Sequence, residues 1–127
     1  MTKTSSAEVI NLSKKAIEAL KAANDKSLKG KKNELDEIIW ESAFNVEYCL
    51  FLMSLNRYYE EDRWKIKIDE DKISILISKA QNYLETALEI IESGSDCRAY
   101  QKFWCARSYL LKIQRILEKK MTLKNIR

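Results

Sequence analysis

Apolar residues recur three and four positions apart along almost the whole chain, the period of amphipathic helices rather than strands. Val9, Ser13, Ala16, Leu20 and Ala23 form one such row, with Ile10 and Ile17 beside it. Leu35, Ile39, Ser42, Val46, Cys49 and Met53 form a second. Ile73, Ile77, Ala80, Leu84, Ala87 and Ile91 form a third, and Ala99, Phe103, Ala106, Leu110, Ile113 and Leu117 a fourth. Four rows predict four helices, each turning one face inward.

The residues between the rows set the boundaries. Ser5 and Glu8 have the spacing of a capping box for the first helix. Gly30, among Lys29, Lys31 and Lys32, supplies its stop. The second helix starts near Asn33, with Glu34, Asp36 and Glu37 at the positive end of its dipole. Its period continues through Tyr58, Tyr59 and Trp64, so a helix of about 30 residues is expected. Lys65–Ile68 is a short connector, Asp69 is the expected N-cap of the third helix, and Ile68 with Ile73 a hydrophobic staple. Ser93-Gly94-Ser95-Asp96 reads as a turn into the fourth helix, and residues 121–127 as a frayed tail. No proline and only two glycines occur in 127 residues, so little else interrupts helix. The expected fold is all-α: one domain, residues 1–127, an antiparallel four-helix bundle built from two helical hairpins. Leu12-Ser13-Lys14 echoes Ile77-Ser78-Lys79, and Trp40 and Trp104 lie about 65 residues apart. Duplication of one hairpin and chance likeness between amphipathic helices both account for that echo.

Composition narrows the chemistry. Histidine is absent. Histidine-based acid–base catalysis, histidine-activated nucleophiles and the common zinc and di-iron ligand sets go with it. Cys49, Cys97 and Cys105 form no CxxC pair, and 97 and 105 are two helical turns apart, beyond disulfide reach. All three are expected to be small buried hydrophobes in a reducing compartment. The longest apolar run, Tyr48 to Met53, is far short of the roughly 20 residues of a membrane span. The N-terminal residues lack the apolar core of a signal peptide. A cytoplasmic protein with no membrane partner is expected, secretion by a route that leaves no cleavable signal being the alternative. Glu34-x-x-Glu37 and Glu89-x-x-Glu92 match half of the magnesium-binding pattern of helical nucleotide pyrophosphatases, but no ExxD completes it. A carboxylate enzyme is therefore a minor reading, and no cofactor, metal or small-molecule substrate is implied.

Two surfaces remain as candidates. The net charge is +4, but nine basic residues against two acidic ones fall between Asp96 and Arg127. At about 100° per residue, Arg98, Lys102, Lys112, Arg115, Lys119, Lys120 and Lys124 share half of the fourth helix, opposite its apolar row. Tyr109 and Ile116 lie in the same arc, and Arg107 falls outside it. Such a face suits a phosphate backbone or an acidic partner; it is also what a solvated lysine-rich helix looks like. The second surface is a row along the second helix: Trp40, Phe44, Tyr48, Phe51, Leu55, Tyr58 and Tyr59. A helix apolar on two sides is either central in its bundle or part of an interface. Phe44, Phe51, Arg57, Tyr58, Tyr59, Arg63 and Trp64 are the residues proposed for a protein interface, being of the types enriched there.

The hairpin layout and the Ala/Tyr/Trp-rich fourth helix resemble HEPN-type bundles. Ribonucleases of that group use an arginine followed by a histidine, so the resemblance implies a fold and no activity here. The sequence points first to a non-catalytic helical interaction module: an adaptor, an inhibitor or immunity-type protein, or a small subunit of a larger assembly. Its partner would be another protein or a second copy. A nucleic-acid-binding protein using the basic fourth helix is the alternative.

Overall fold

The computed structural model describes residues 3–28, 32–55, 59 and 64–126, with side chains for 7–26, 34–55, 59 and 64–120. The described residues are helical or irregular, with no strand among them. Four helices follow one another: α1 (Lys3–Leu28), α2 (Lys32–Ser54), α3 (Ile73–Glu92) and α4 (Asp96–Ile126). The four rows read from the sequence lie on the inner faces of these helices, every member buried except the half-buried Ile73. Val9, Leu20, Leu35, Ile39, Ile77, Leu84, Phe103 and Leu110 are buried in one cluster fed by all four. Helix α1 packs on α2 and α3, and α4 packs on α3 and α2. Among the described residues the diagonal helices, α1 with α4 and α2 with α3, bring no two Cα atoms within 8 Å.

Small residues on α1 permit this packing and bring one polar group inside. Ser13 is fully buried, and its Oγ donates to the Val9 carbonyl at 2.7 Å. It lies 3.9 Å from the Cys49 sulfur of α2, and that thiol in turn donates to the same carbonyl at 3.7 Å. Backbone oxygen, hydroxyl and thiol thus satisfy one another at no unpaired polar cost. Burial pushes the Cys49 thiol up to about 12, although the Ser13 contact opposes the rise. Among the described residues no buried side-chain nitrogen or oxygen lacks a partner.

The turn between α3 and α4 follows from Gly94. Its φ of +91° is open to glycine and strained for other residues. The Gly94 N–H donates to Ile91 O at 3.1 Å and the Ser95 N–H to Ile90 O at 3.2 Å. Those two bonds are a Schellman close. The Ser95 carbonyl then accepts from Ala99 and opens α4.

Several boundaries differ from expectation. Helix α1 begins at Lys3, ahead of Ser5, so Ser5 is not at its N-cap position. Helix α2 ends at Ser54 and has 23 residues rather than about 30. Tyr59 lies outside any helix, buried in the core, and Trp64 sits in a single 3₁₀ position packed against it. Of the aromatic period past Ser54, Tyr59 and Trp64 therefore anchor on Tyr100 of α4 instead of extending α2. Helix α3 begins at Ile73, with Lys72 rather than Asp69 at its N-cap and no side-chain cap bond. The Glu70 carboxylate instead accepts from the Lys72 N–H at 3.2 Å. Ile68 and Ile73 both pack on the core, but with Lys72 at the N-cap they are not the N′ and N4 positions, so the expected staple does not form; Ile68 ties down the connector ahead of the helix. Helix α4 stays helical to Ile126, since no glycine or proline interrupts the tail. Cys97 is exposed rather than buried, lying one residue into α4 and off its inner row. Ser13 is buried but Ser78 is exposed, so the echoed triplets do not occupy equivalent faces. The expected stop at Gly30 lies outside the described residues.

No helix among the described residues is long and apolar enough to cross a membrane.

Candidate functional site

Helix α2 is apolar on two sides, and only one of them is covered. Trp40, Phe44, Phe51 and Leu55 are 57%, 66%, 55% and 63% exposed, with Tyr48 between them also exposed. At about 100° per residue these five span an arc of about 80°, centred opposite the buried row. The rings run as a chain along the helix. Phe44 and Tyr48 centroids are 6.4 Å apart, and Tyr48 and Phe51 6.2 Å. From Trp40 to Leu55 the row is about 22 Å long at 1.5 Å per residue. Single exposed apolar residues need no explanation, whereas a contiguous row of five does.

Of the residues expected at a protein interface, Phe44 and Phe51 are on this row. Tyr59 and Trp64 are elsewhere. Tyr59 stacks on Tyr100 of α4 with centroids 3.9 Å apart, and Trp64 packs 5.6 Å from the same ring. Tyr59 is core and Trp64 half-buried, so neither extends the exposed row. Arg57, Tyr58 and Arg63 lie outside the described residues.

The basic face of α4 divides in two. Lys112, Arg115, Lys119 and Lys120 line one groove of about 460 Å³, with Ile116 and Asp71. Lys112 and Arg115 also line a second of about 370 Å³, in which Lys65, Arg107 and the ring of Trp104 take part. The connector at Ile66 and Ile68 forms the far wall of this second groove. Arg98 is exposed but lines neither groove. Lys102 turns toward α3, its Nζ 5.7 Å from the Tyr83 ring. The side chain of Lys124 lies outside the described residues. Lys112 is engaged in part, its Nζ 3.6 Å from Asp71.

Arg107, the one base off the basic arc, is the link between the two surfaces. It donates to the Glu47 carboxylate of α2, while its guanidinium carbon lies 4.8 Å from the Trp104 centroid. A third hollow, about 270 Å³, runs from Phe51 and Glu47 past Arg107 to Trp104. Sequence reasoning missed Trp104 and Lys65 as groove residues. The Trp104-x-x-Arg107 spacing, which stacks a guanidinium on a ring one turn away, was the available signal.

Other chemistry is sparse. Tyr83 and Tyr109 stack at 5.6 Å between α3 and α4. Burial chiefly raises the Tyr83 hydroxyl pKa, with Cys105 and Tyr109 adding to it. Burial likewise raises Cys105, against the opposing charge of Lys102. Among the described residues no group of three or more cysteine, aspartate or glutamate side chains is placed to hold a metal ion. Compared with protein-family models, curated proteins and solved structures, the chain matches none.

Proposed function

We infer that the chain is an antiparallel four-helix bundle of two helical hairpins and serves as a non-catalytic protein-interaction module. Contacts between opposite helix ends support the topology. Lys26 near the end of α1 pairs with Glu34 near the start of α2 at 2.9 Å. Val9 near the start of α1 meets Cys49 near the end of α2. The three-residue turn at Gly94 returns α4 along α3, where Tyr109 meets Tyr83.

The observation that carries the function is the exposed row Trp40, Phe44, Tyr48, Phe51 and Leu55. Its aromatic content is that of interface centres, where a few such rings supply most of the binding energy. Another protein, as a separate partner or as a fellow subunit, covers this row in the working state. Three free cysteines, two of them buried, suit a reducing cytoplasmic setting.

The test is sedimentation of the full chain, alone and with candidate partners, for wild type and Phe44→Glu/Phe51→Glu. Neither ring is in the core, so the double variant should keep its thermal midpoint and lose association. Association unaltered in the variant would place the interface elsewhere.

A second reading has its own support. The groove that joins Trp104 to Lys65, Arg107, Lys112 and Arg115 combines a stacking ring with cations, the pairing that single-stranded nucleic acid uses. It ranks second because Arg107 and Lys112 already face Glu47 and Asp71.

A further inference from the structure

The charges around the aromatic row of α2 bear on what covers it. Between Asn33 and Leu55 the chain has five carboxylates, at Glu34, Asp36, Glu37, Glu41 and Glu47, and neither lysine nor arginine. At about 100° per residue, Glu41 flanks one side of the aromatic arc and Glu47 the other, while Glu37 continues it toward the N-terminus. Glu34 and Glu47 pair with Lys26 and Arg107 of this chain. Glu37 and Glu41 are exposed, and neither has an ion-pair partner among the described residues. They stand four apart on one helix face, where like charges repel. Glu37 and Glu41 lie beyond the first turn of α2, where the helix dipole that favours Glu34 has largely faded. Nor does their placement reflect an acidic protein, since the chain as a whole carries +4.

We propose that the outer face of α2 receives a cationic amphipathic helix of a partner protein. The partner's apolar side lies on Trp40, Phe44 and Phe51, and its lysines or arginines meet Glu37 and Glu41. This rests on the reading of α2 as a docking face and adds the chemistry of the occupant. A row of about 22 Å accepts roughly four turns of helix with anchors at i, i+3 or i+4, and i+7. A second copy's α2 in the same place would set carboxylate against carboxylate. The chain's own α4 does not fit either, because its apolar side is already buried in the core.

The experiment uses two synthetic amphipathic helices of about 18 residues, each with leucines along one face. One carries lysines elsewhere and the other glutamates. Fluorescence anisotropy measures the binding of each labelled peptide to the full chain at about 0.15 M salt. Wild type should prefer the lysine peptide by at least about tenfold in affinity. Glu37→Lys/Glu41→Lys should reverse that preference. Phe44→Glu should weaken the lysine peptide by at least about tenfold, at an unchanged thermal midpoint. If Phe44→Glu does not fold, Glu37→Gln/Glu41→Gln carries the test, and loss of the preference supports the proposal. Equal binding of both peptides, abolished by Phe44→Glu, overturns the cationic partner and leaves the docking face standing. A homodimer that Phe44→Glu dissolves, with no peptide bound, has the same consequence. A monomer that binds neither peptide overturns this proposal and the α2 docking reading together.

Discussion

The ring of Tyr59 lies flat on that of Tyr100, centroids 3.9 Å apart and planes 7° from parallel. Trp64 completes the cluster, tilted against both rings. The stack holds Tyr59, which lies outside any helix, against α4 through its side chain. Tyr100→Ala should cost about 3–5 kcal/mol, as truncation of other buried aromatics does. A double-mutant cycle of Tyr59→Ala and Tyr100→Ala, read by urea denaturation, should give a coupling of about 0.5–1.5 kcal/mol. A coupling indistinguishable from zero would mean that the stack does not form in solution.

How far the sequence foretold this fold depended on whether each helix buries one face or two. Helix α3 has a single unbroken row, and Ile73, Ile77, Ala80, Leu84, Ala87 and Ile91 lie inside or at the edge of the core as the row implies. Helix α2 has two rows, and its end could not be read. Tyr58, Tyr59 and Trp64 continue the helical period in sequence, and no glycine or proline marks the break at Leu55. The second row itself was legible, yet its exposure was not. Phe44 and Phe51 would look the same at the centre of a bundle, because periodicity reports a face and not what covers it. The groove at Trp104 was less legible still. It depends on Arg107 reaching Glu47, 60 residues away in sequence, and on the connector crossing α4.

Core and outer face should separate cleanly under truncation. Leu84 and Leu110 are fully buried, so Leu84→Ala or Leu110→Ala should each cost about 2–5 kcal/mol. Phe44 is 66% exposed, and Phe44→Ala should change stability by no more than about 0.5 kcal/mol. Urea denaturation of the three variants beside wild type checks both statements. A large loss for Phe44→Ala would place that ring in the core.

The thiols should differ in reactivity and in their effect at high pH. Cys97 is exposed and should react first with a thiol reagent at pH 8, with Cys49 and Cys105 slow until the chain unfolds. Cys49 keeps its proton in the folded state up to about 12, against an ordinary value of 9.0. Above 9 the unfolded chain has released that proton and the folded chain has not, so its share of stability declines as pH rises. The slope is about 1.4 kcal/mol per pH unit between 9 and 12. Cys49→Ala should be less stable at neutral pH and show a correspondingly flatter decline above 9. Parallel pH profiles for the two proteins would contradict the buried thiol.

The basic groove gives the last prediction, and the structure alters which residues to change. Lys112 already faces Asp71 at 3.6 Å, so Arg115 and Lys119 are the cations to change. Arg115 and Lys119 are exposed and line the same groove. If the groove binds nucleic acid, log affinity should fall linearly with log salt by about 0.7–0.9 for each phosphate neutralised. Arg115→Glu/Lys119→Glu should weaken binding steeply and reduce that slope by about two contacts' worth. Trp104→Ala should weaken binding to single strands by about 1–3 kcal/mol, the range for one stacked base, and leave the salt slope alone. The two effects are separable because charge sets the slope and stacking does not. Exposed charges add little to folding, so the double variant should denature close to wild type. The measurement is a salt titration of single-stranded RNA and DNA affinity for wild type and both variants. No binding by wild type at low salt, where attraction to phosphate is strongest, would remove the nucleic-acid reading and leave the cations of α4 as solvated surface.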